Sequence, residues 1–135
     1  MVDLLGRAQT RRRIAADTSS IQRYLAGKLG RDTTVLDEVF ENDGLFLPPA
    51  VLTEVLSDTA LLADAAIRIR LIPLLETTPG YWERAGVMRA ALLAIGRKAK
   101  LPDTLIAQSC IDHDIPLITY DRDFRHFTGA GLILI

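Results

Sequence analysis

The sequence predicts an α/β fold in which a mainly parallel sheet is flanked by helices. Apolar runs that suit buried strands alternate with helical patterns along the whole 135-residue chain. Such alternation is typical of parallel sheets whose strands are joined by helices. Hydrophobic residues make up 49% of the sequence and charged residues 24%, as in compact globular proteins. We therefore expect residues 1–135 to form a single domain.

The first half of the chain contains two apolar runs and four helical patterns. Asp17 and Ser19 can cap free amides at the start of the first helix, and Gly27 suits its end. The second helix has one apolar face and ends at an Asn-Asp-Gly sequence. Two prolines, Pro48 and Pro49, favour the start of the third helix. The predicted elements are a strand at 13–16, helices at 17–27 and 32–44, a strand at 45–47, and helices at 50–58 and 59–70.

The second half of the chain holds the longest helical pattern. Pro73 restricts its first predicted strand to a sheet edge or a bend. Pro79 stands near the start of the long helix and basic residues near its end, as the helix dipole favours. Pro102 and Asp103 open the helix after it. The predicted elements are a strand at 70–76, helices at 78–100 and 101–114, a strand at 115–119, a tight connection at 120–127 and a strand at 131–135.

Charge and cysteine content exclude several classes of function. The net charge is -1, so nucleic-acid binding would depend on local clusters and not on bulk charge. Cys110 is the single cysteine, which excludes a disulfide framework and a cysteine metal site and indicates a reducing cytoplasm. No apolar run approaches the roughly 20 residues that cross a bilayer, and the opening lacks a secretory pattern. We expect a cytoplasmic protein that does not enter membranes.

Four acidic residues are predicted to meet at one edge of the sheet. Asp17 follows the first strand, Glu54 lies about one helical turn beyond the second, and Asp121 follows the strand at 115–119. Asp103 opens a helix that would begin at the same end of the molecule. Ligands of open α/β sheets collect at the carboxyl ends of the strands. We therefore expect these four side chains to form one acidic cleft.

An acidic cleft of this kind indicates a hard divalent cation. Carboxylates gathered together repel one another unless a cation neutralises their charge. Mg²⁺ and Mn²⁺ prefer carboxylate and water oxygens and keep positions open for a phosphate. With such an ion, water becomes a usable nucleophile and the charge that develops on the phosphate is stabilised. The implied reaction is hydrolysis of a phosphodiester.

Three segments, in their order along the chain, resemble a known family. The segments ADTSSIQRYLAG, PPAVLTEVLSD and LPDTLIAQSCIDHDIPLITYDRDF are similar to the PIN-domain ribonucleases, in particular the VapC-type toxins of prokaryotic toxin–antitoxin pairs. The likeness extends from Ile14 to Ile135. It implies a three-layer PIN-like fold, a site for Mg²⁺ or Mn²⁺, cleavage of RNA as the toxin of a type II module, homodimerisation and inhibition by a cognate antitoxin.

The resemblance also implies roles for individual residues. Asp17, Glu54, Asp103 and Asp121 fall on the family's catalytic acids. Asp17, Asp103 and Asp121 would hold the metal, and Glu54 would hold a water or a second ion. PIN toxins commonly begin at the first strand, so residues 1–12 form an N-terminal extension whose role stays open between a mistaken start, a dimer contact and an RNA-binding arm.

Several polar residues have two interpretations. Asp123 either supplements the acidic site or caps the turn that follows it. Ser19 and Thr119 either orient the acids and contact phosphate or act as a helix cap and a strand-end hydroxyl. Two basic clusters either bind RNA phosphates or form solvated surface. These clusters are Arg11, Arg12 and Arg13, and Arg97, Lys98 and Lys100.

Two further alternatives concern the surface and the function. Tyr81 and Trp82 are expected to pack in the core or in a dimer contact, with base stacking as the other option. Apolar residues of the long helix, such as Val87, Leu92 and Ile95, would suit a dimer or antitoxin groove. The alternative function is a non-catalytic PIN-like module that binds RNA or protein. A receiver-type signalling domain is disfavoured, because YDRDF stands where that class needs a lysine.

Overall fold

The computed structural model describes residues 12–135 and contains a parallel sheet flanked by helices, which confirms the predicted fold class. Its strands are β1 (Ile14–Ala16), β2 (Leu45–Phe46) and β3 (Leu117–Ile118), in the order β2-β1-β3. Ile14 pairs with Leu45, and Ala15 pairs with Leu117. All three residues of β1 are fully buried, as expected for the central strand of a sheet covered on both faces.

Six α-helices and one 3-10 helix surround the sheet in the described part of the chain. α1 packs against α2 and α3, while α6 packs against α3, α5 and the 3-10 helix. No helix within residues 12–135 is long and apolar enough to cross a bilayer. The helices are α1 (Thr18–Leu25), α2 (Arg31–Glu41), α3 (Pro49–Leu56), α4 (Ala63–Arg70), α5 (Tyr81–Ala94), α6 (Leu101–Asp112) and the 3-10 helix (Arg122–Ala130).

The predicted edge strands are shorter than expected. The segments at 70–76 and 131–135 each contribute a single parallel bridge, Leu47 with Leu74 and Leu117 with Leu134. Each bridge adds one residue pair beside an outer strand of the sheet without forming a full strand. The connection after β3 is also more regular than predicted, because most of it forms the 3-10 helix.

The long helix α5 ends six residues earlier than the predicted Lys100. Gly96 adopts a left-handed conformation with φ of 76°, and the Arg97 amide donates to the Leu92 carbonyl at 2.9 Å. This backbone arrangement ends helices because glycine has no Cβ to oppose positive φ. Lys98 and Lys100 therefore follow the helix and do not lie in its last turn.

One continuous core joins the sheet to the helices. Phe124 and Phe127 of the 3-10 helix are fully buried, and their rings lie 6.0 Å apart. Ile106 and Cys110 of α6 belong to the same core. Burial raises the pKa of the Cys110 thiol, which suits a packing role and not a nucleophile. This core supports the carboxyl ends of β1 and β3, where the polar residues begin.

Candidate active site

Four acidic side chains line one cavity of about 280 Å³ beyond the carboxyl ends of the strands. Asp17 follows β1, Glu54 lies on α3, Asp103 lies in the first turn of α6, and Asp121 precedes the 3-10 helix. The chain therefore brings together all four acids that the sequence singled out, although they are separated by up to about a hundred residues. Parallel strands make this convergence possible because their carboxyl ends share one edge.

Asp17 is buried and held by a set of donors. It accepts hydrogen bonds from the Ser20 amide at 3.0 Å, the Ser19 hydroxyl at 2.8 and 2.9 Å, and the Thr119 hydroxyl at 2.7 Å. Thr119 itself accepts from the Asp121 amide at 2.9 Å. Burial raises the pKa of Asp17, and these hydrogen bonds oppose that rise. Ser19 and Thr119 thus fix the orientation of the Asp17 carboxyl group.

Glu54 has a partner that sequence reasoning missed. The Thr18 hydroxyl donates to Glu54 Oε1 at 2.6 Å and so joins the start of α1 to α3. Thr18 directly follows Asp17 and lines the same cavity. Its position at the start of a helix beside a candidate acid was the only signal in the sequence.

A tighter group of three carboxylates lies within this region. One oxygen from each of Asp103, Asp121 and Asp123 lies within 4.8 Å of the other two. Burial raises the pKa of Asp103 to about 6, the charge of Asp121 adds to the increase, and Lys100 opposes it. Repulsion among these groups is therefore only partly relieved by the protein itself.

Asp123 has an ionic role and does not cap the turn. Its carboxylate lies 2.8 Å from Lys98 Nζ and 3.8 Å from Lys100 Nζ. The hydrogen bond from Lys98 lowers the pKa of Asp123. The turn is capped instead by Asp121, whose side chain accepts from the Asp123 amide at 2.9 Å.

The donor set fits a hard divalent cation. Mg²⁺ binds carboxylate oxygens at roughly 2.1 Å, which places ligand oxygens about 3–4 Å apart around one ion. The Asp103, Asp121 and Asp123 oxygens approach this spacing. Asp17 lines the adjoining cavity but is not part of this group of three. The arrangement can neutralise a cation next to a space that a phosphate group can enter.

Comparison with known proteins shows the family. The sequence model of the PIN domain family matches residues 14–130. The chain belongs to the PIN domain family. Among curated protein sequences, none matches the chain.

Solved structures share the fold of this PIN domain. VapBC2 from Rickettsia felis, bound to a DNA fragment from its promoter, is 17% identical with a TM-score of 0.72, over 90% of this chain and 96% of that chain. DNA-bound VapBC from Salmonella typhimurium is 14% identical with a TM-score of 0.71, over 92% and 97%. VapBC-5 from Mycobacterium tuberculosis, of a family of toxin-antitoxin systems, is 20% identical with a TM-score of 0.63, over 93% and 100%. At these identities the likeness establishes a common fold.

The basic clusters of the PIN domain lie in different places. Arg12 and Arg13 precede β1, at the opposite end of the strand from the acidic cavity, and Arg13 lies over the Phe46 ring at 4.8 Å. Arg11 lies outside the described residues. Arg97 lines a separate cavity beside α5. Of the five basic residues that the structure describes in these clusters, Lys98 and Lys100 are the ones that contact the acidic group.

Proposed function

We propose that this PIN domain is a Mg²⁺- or Mn²⁺-dependent endoribonuclease that hydrolyses RNA phosphodiester bonds as the toxin of a type II toxin–antitoxin module. The observation that carries the proposal is the single cavity lined by Asp17, Glu54, Asp103 and Asp121. Membership of the PIN domain family supports a nuclease. The fold shared with VapBC proteins supports the toxin role, a cognate antitoxin as partner and a cytoplasmic location.

Each residue of the cavity has its own expected role in the reaction. Asp17, Asp103 and Asp121 would hold the cation, and Asp123 is available beside them once it separates from Lys98. A bound cation would neutralise these carboxylates and stabilise the negative charge that develops on the phosphate. Glu54, oriented by Thr18, would accept the proton of an attacking water. Ser19 and Thr119, which both donate to the Asp17 carboxylate, would keep that group in one orientation.

Cleavage of RNA by the purified chain tests the proposal. We expect cleavage with Mn²⁺ or Mg²⁺, loss of cleavage with a chelator, and recovery when Mn²⁺ is restored. Asp17→Asn and Asp103→Asn should each lower the rate at least a hundredfold, as estimated from the loss of a charged catalytic group, and circular dichroism should show an intact fold.

Asp64→Asn is the matched control, because Asp64 is an exposed acid of α4 outside the cavity. It should cut RNA at the wild-type rate, whereas the loss of cleavage in Asp17→Asn and Asp103→Asn prepared in parallel excludes a contaminating nuclease. Wild-type cleavage by Asp17→Asn or Asp103→Asn would overturn the role of that residue. RNA or protein binding without any cleavage would instead indicate the non-catalytic PIN-like module.

A further inference from the structure

A second cavity of about 360 Å³ lies directly beside the acidic one. Glu54 and Pro102 line both cavities, so the two spaces adjoin each other. The remaining walls are mostly apolar and include Pro49, Leu101 and Trp82. A volume of this size falls within the range of small-ligand sites. An apolar compartment, for which the proposed reaction has no role, therefore adjoins the acidic cavity.

Trp82 is a largely exposed aromatic residue in the lining of this compartment. Its side chain is 67% exposed, whereas the neighbouring Tyr81 is buried and donates its hydroxyl to the Leu105 carbonyl at 2.6 Å. The two rings meet edge to face, with centroids 4.9 Å apart and an interplanar angle of 79°. Tyr81 thus fulfils the predicted packing role. Trp82 is positioned by this contact with Tyr81, and most of its surface stays exposed.

Charge decides which part of a nucleic acid suits the compartment. Glu54 is the one charged residue among the described residues that line it, and a carboxylate repels a phosphate. Lys100 lines the acidic cavity instead, where a phosphate would be attracted. The apolar compartment therefore favours the uncharged part of a nucleotide, and its lining includes the hydroxyl-bearing residues Thr53 and Thr77, whose chemistry suits the polar edge of a base.

We propose that this compartment binds one nucleobase of single-stranded RNA, stacked on Trp82 beside the scissile phosphate. The inference rests on the proposed ribonuclease function and adds a base-binding subsite to it. Unstacked bases of single-stranded RNA characteristically stack on exposed aromatic side chains. A base is joined through its sugar to the phosphate, so a compartment next to the phosphate site is where a base can reach.

The role assigned to Trp82 is substrate binding and not chemistry. Trp82→Ala should weaken RNA binding and raise KM about tenfold, because stacking on an aromatic ring is lost. The change in kcat should be small, since the acids remain in place. The salt dependence of binding should keep its slope, because Trp82 neutralises no phosphate. Trp82→Phe, which keeps an aromatic face, should restore most of the affinity.

Fluorescence of the single tryptophan reports directly on this subsite. The full chain is titrated with a short single-stranded RNA in chelator, while anisotropy of a labelled RNA measures binding. We expect quenching by intact RNA and a loss of quenching when one defined position of the RNA is abasic. Leu71→Ala is the matched control, because Leu71 is an exposed apolar residue outside the compartment. It should bind and cleave as the wild type does.

The outcomes separate the inference from the proposed function. Cleavage with Mn²⁺ together with an unchanged KM in Trp82→Ala would overturn the subsite and leave the ribonuclease standing. Quenching without cleavage would support the subsite and overturn the ribonuclease. RNA that neither quenches nor is cut would overturn both. Quenching on concentrating the protein alone, with a change in sedimentation of Trp82→Ala, would assign the compartment to a second copy of the chain and overturn the subsite.

Discussion

Two acids of the same cavity differ in how well the protein stabilises their negative charge. Asp17 accepts hydrogen bonds from an amide and two hydroxyls, which offset part of the cost of its burial. Asp103 has acidic neighbours, and Lys100 only partly compensates them. The protein alone thus stabilises the charge of Asp17 better than that of Asp103. A bound cation would supply what Asp103 lacks.

The raised pKa of Asp103 predicts a pH-dependent cost in stability. Its pKa is about 6 in the fold and near 3.8 in an unfolded chain, so the folded state binds more protons between these values. Stability contributed by this group therefore falls as pH rises through that window. In chelator at pH 7.5, the free energy of unfolding of Asp103→Asn should therefore be about 1–2 kcal/mol higher than that of the wild type. This figure is discounted for the partial exposure of Asp103. The difference should shrink towards pH 4.5 in urea titrations.

Asp64→Asn serves again as the control and should show no such pH-dependent gain. Added Mn²⁺ should stabilise the wild type more than Asp103→Asn, since a cation favours the carboxylate form. If Asp103→Asn were less stable than the wild type at pH 7.5 in chelator, the pKa of Asp103 would not be raised in the folded protein.

At the residue scale, the sequence could identify acids but not their partners. Asp17 and Asp121 were found because each follows a strand, and strand ends define an edge. The hydrogen bond from Thr18 to Glu54 depends on side-chain rotamers that no spacing rule specifies. Lys98 reaches Asp123 because α5 ends at Ala94. The helical pattern instead predicts a longer helix that includes this lysine.

At the scale of elements, the close approach of two segments depends on one glycine. Gly44 precedes β2, and its carbonyl accepts a hydrogen bond from the Ile14 amide at 2.9 Å. A Cβ at this position would collide with the carbonyl oxygen of Arg12. Gly44→Ala should therefore disturb the pairing of β1 with β2 and lower the free energy of unfolding by about 1–3 kcal/mol. Urea denaturation measures the change.

Gly86→Ala is the matched substitution. Gly86 lies in the middle of α5, and a Cβ there meets no atom within 4 Å. Alanine favours a helix more than glycine does, so this variant should gain about 1 kcal/mol. Equal effects of the two substitutions would show that helix propensity and general tolerance, and not the contact with Arg12, determine the result.

Helices were predicted better than sheet edges because helical periodicity is a local signal. α1, α2, α3 and α6 begin and end within a few residues of their predicted bounds. The segments around Leu74 and Leu134 read as strands because both are apolar and extended. Each forms only one bridge, since pairing depends on the length of strand that the neighbouring segment offers. The 3-10 helix was missed because its residues read as a turn.

At the scale of the whole molecule, the acidic site is formed by one chain, whereas an apolar surface is left over. The four acids come from the end of β1, where Asp17 follows the strand, from α3, from α6 and from the segment after β3. One core joins these elements, and we infer a single domain from this continuity. A cavity of about 770 Å³ lies among α5, α6 and the 3-10 helix and is lined by Val87 and Ile95, both 70% exposed. Apolar surfaces of this kind are typical of protein contacts.

We expect this apolar surface to bury itself in a homodimer, as the proposed toxin role implies. Val87→Asp would place a charge in that contact and should shift sedimentation velocity from dimer to monomer. RNA cleavage per chain should persist, because each protomer carries a complete set of acids. Leu29→Asp is the control, since Leu29 is exposed and lies outside the cavity. A wild type that sediments as a monomer at all concentrations would contradict the dimer and would leave the surface to the antitoxin, whose binding Val87→Asp should then weaken.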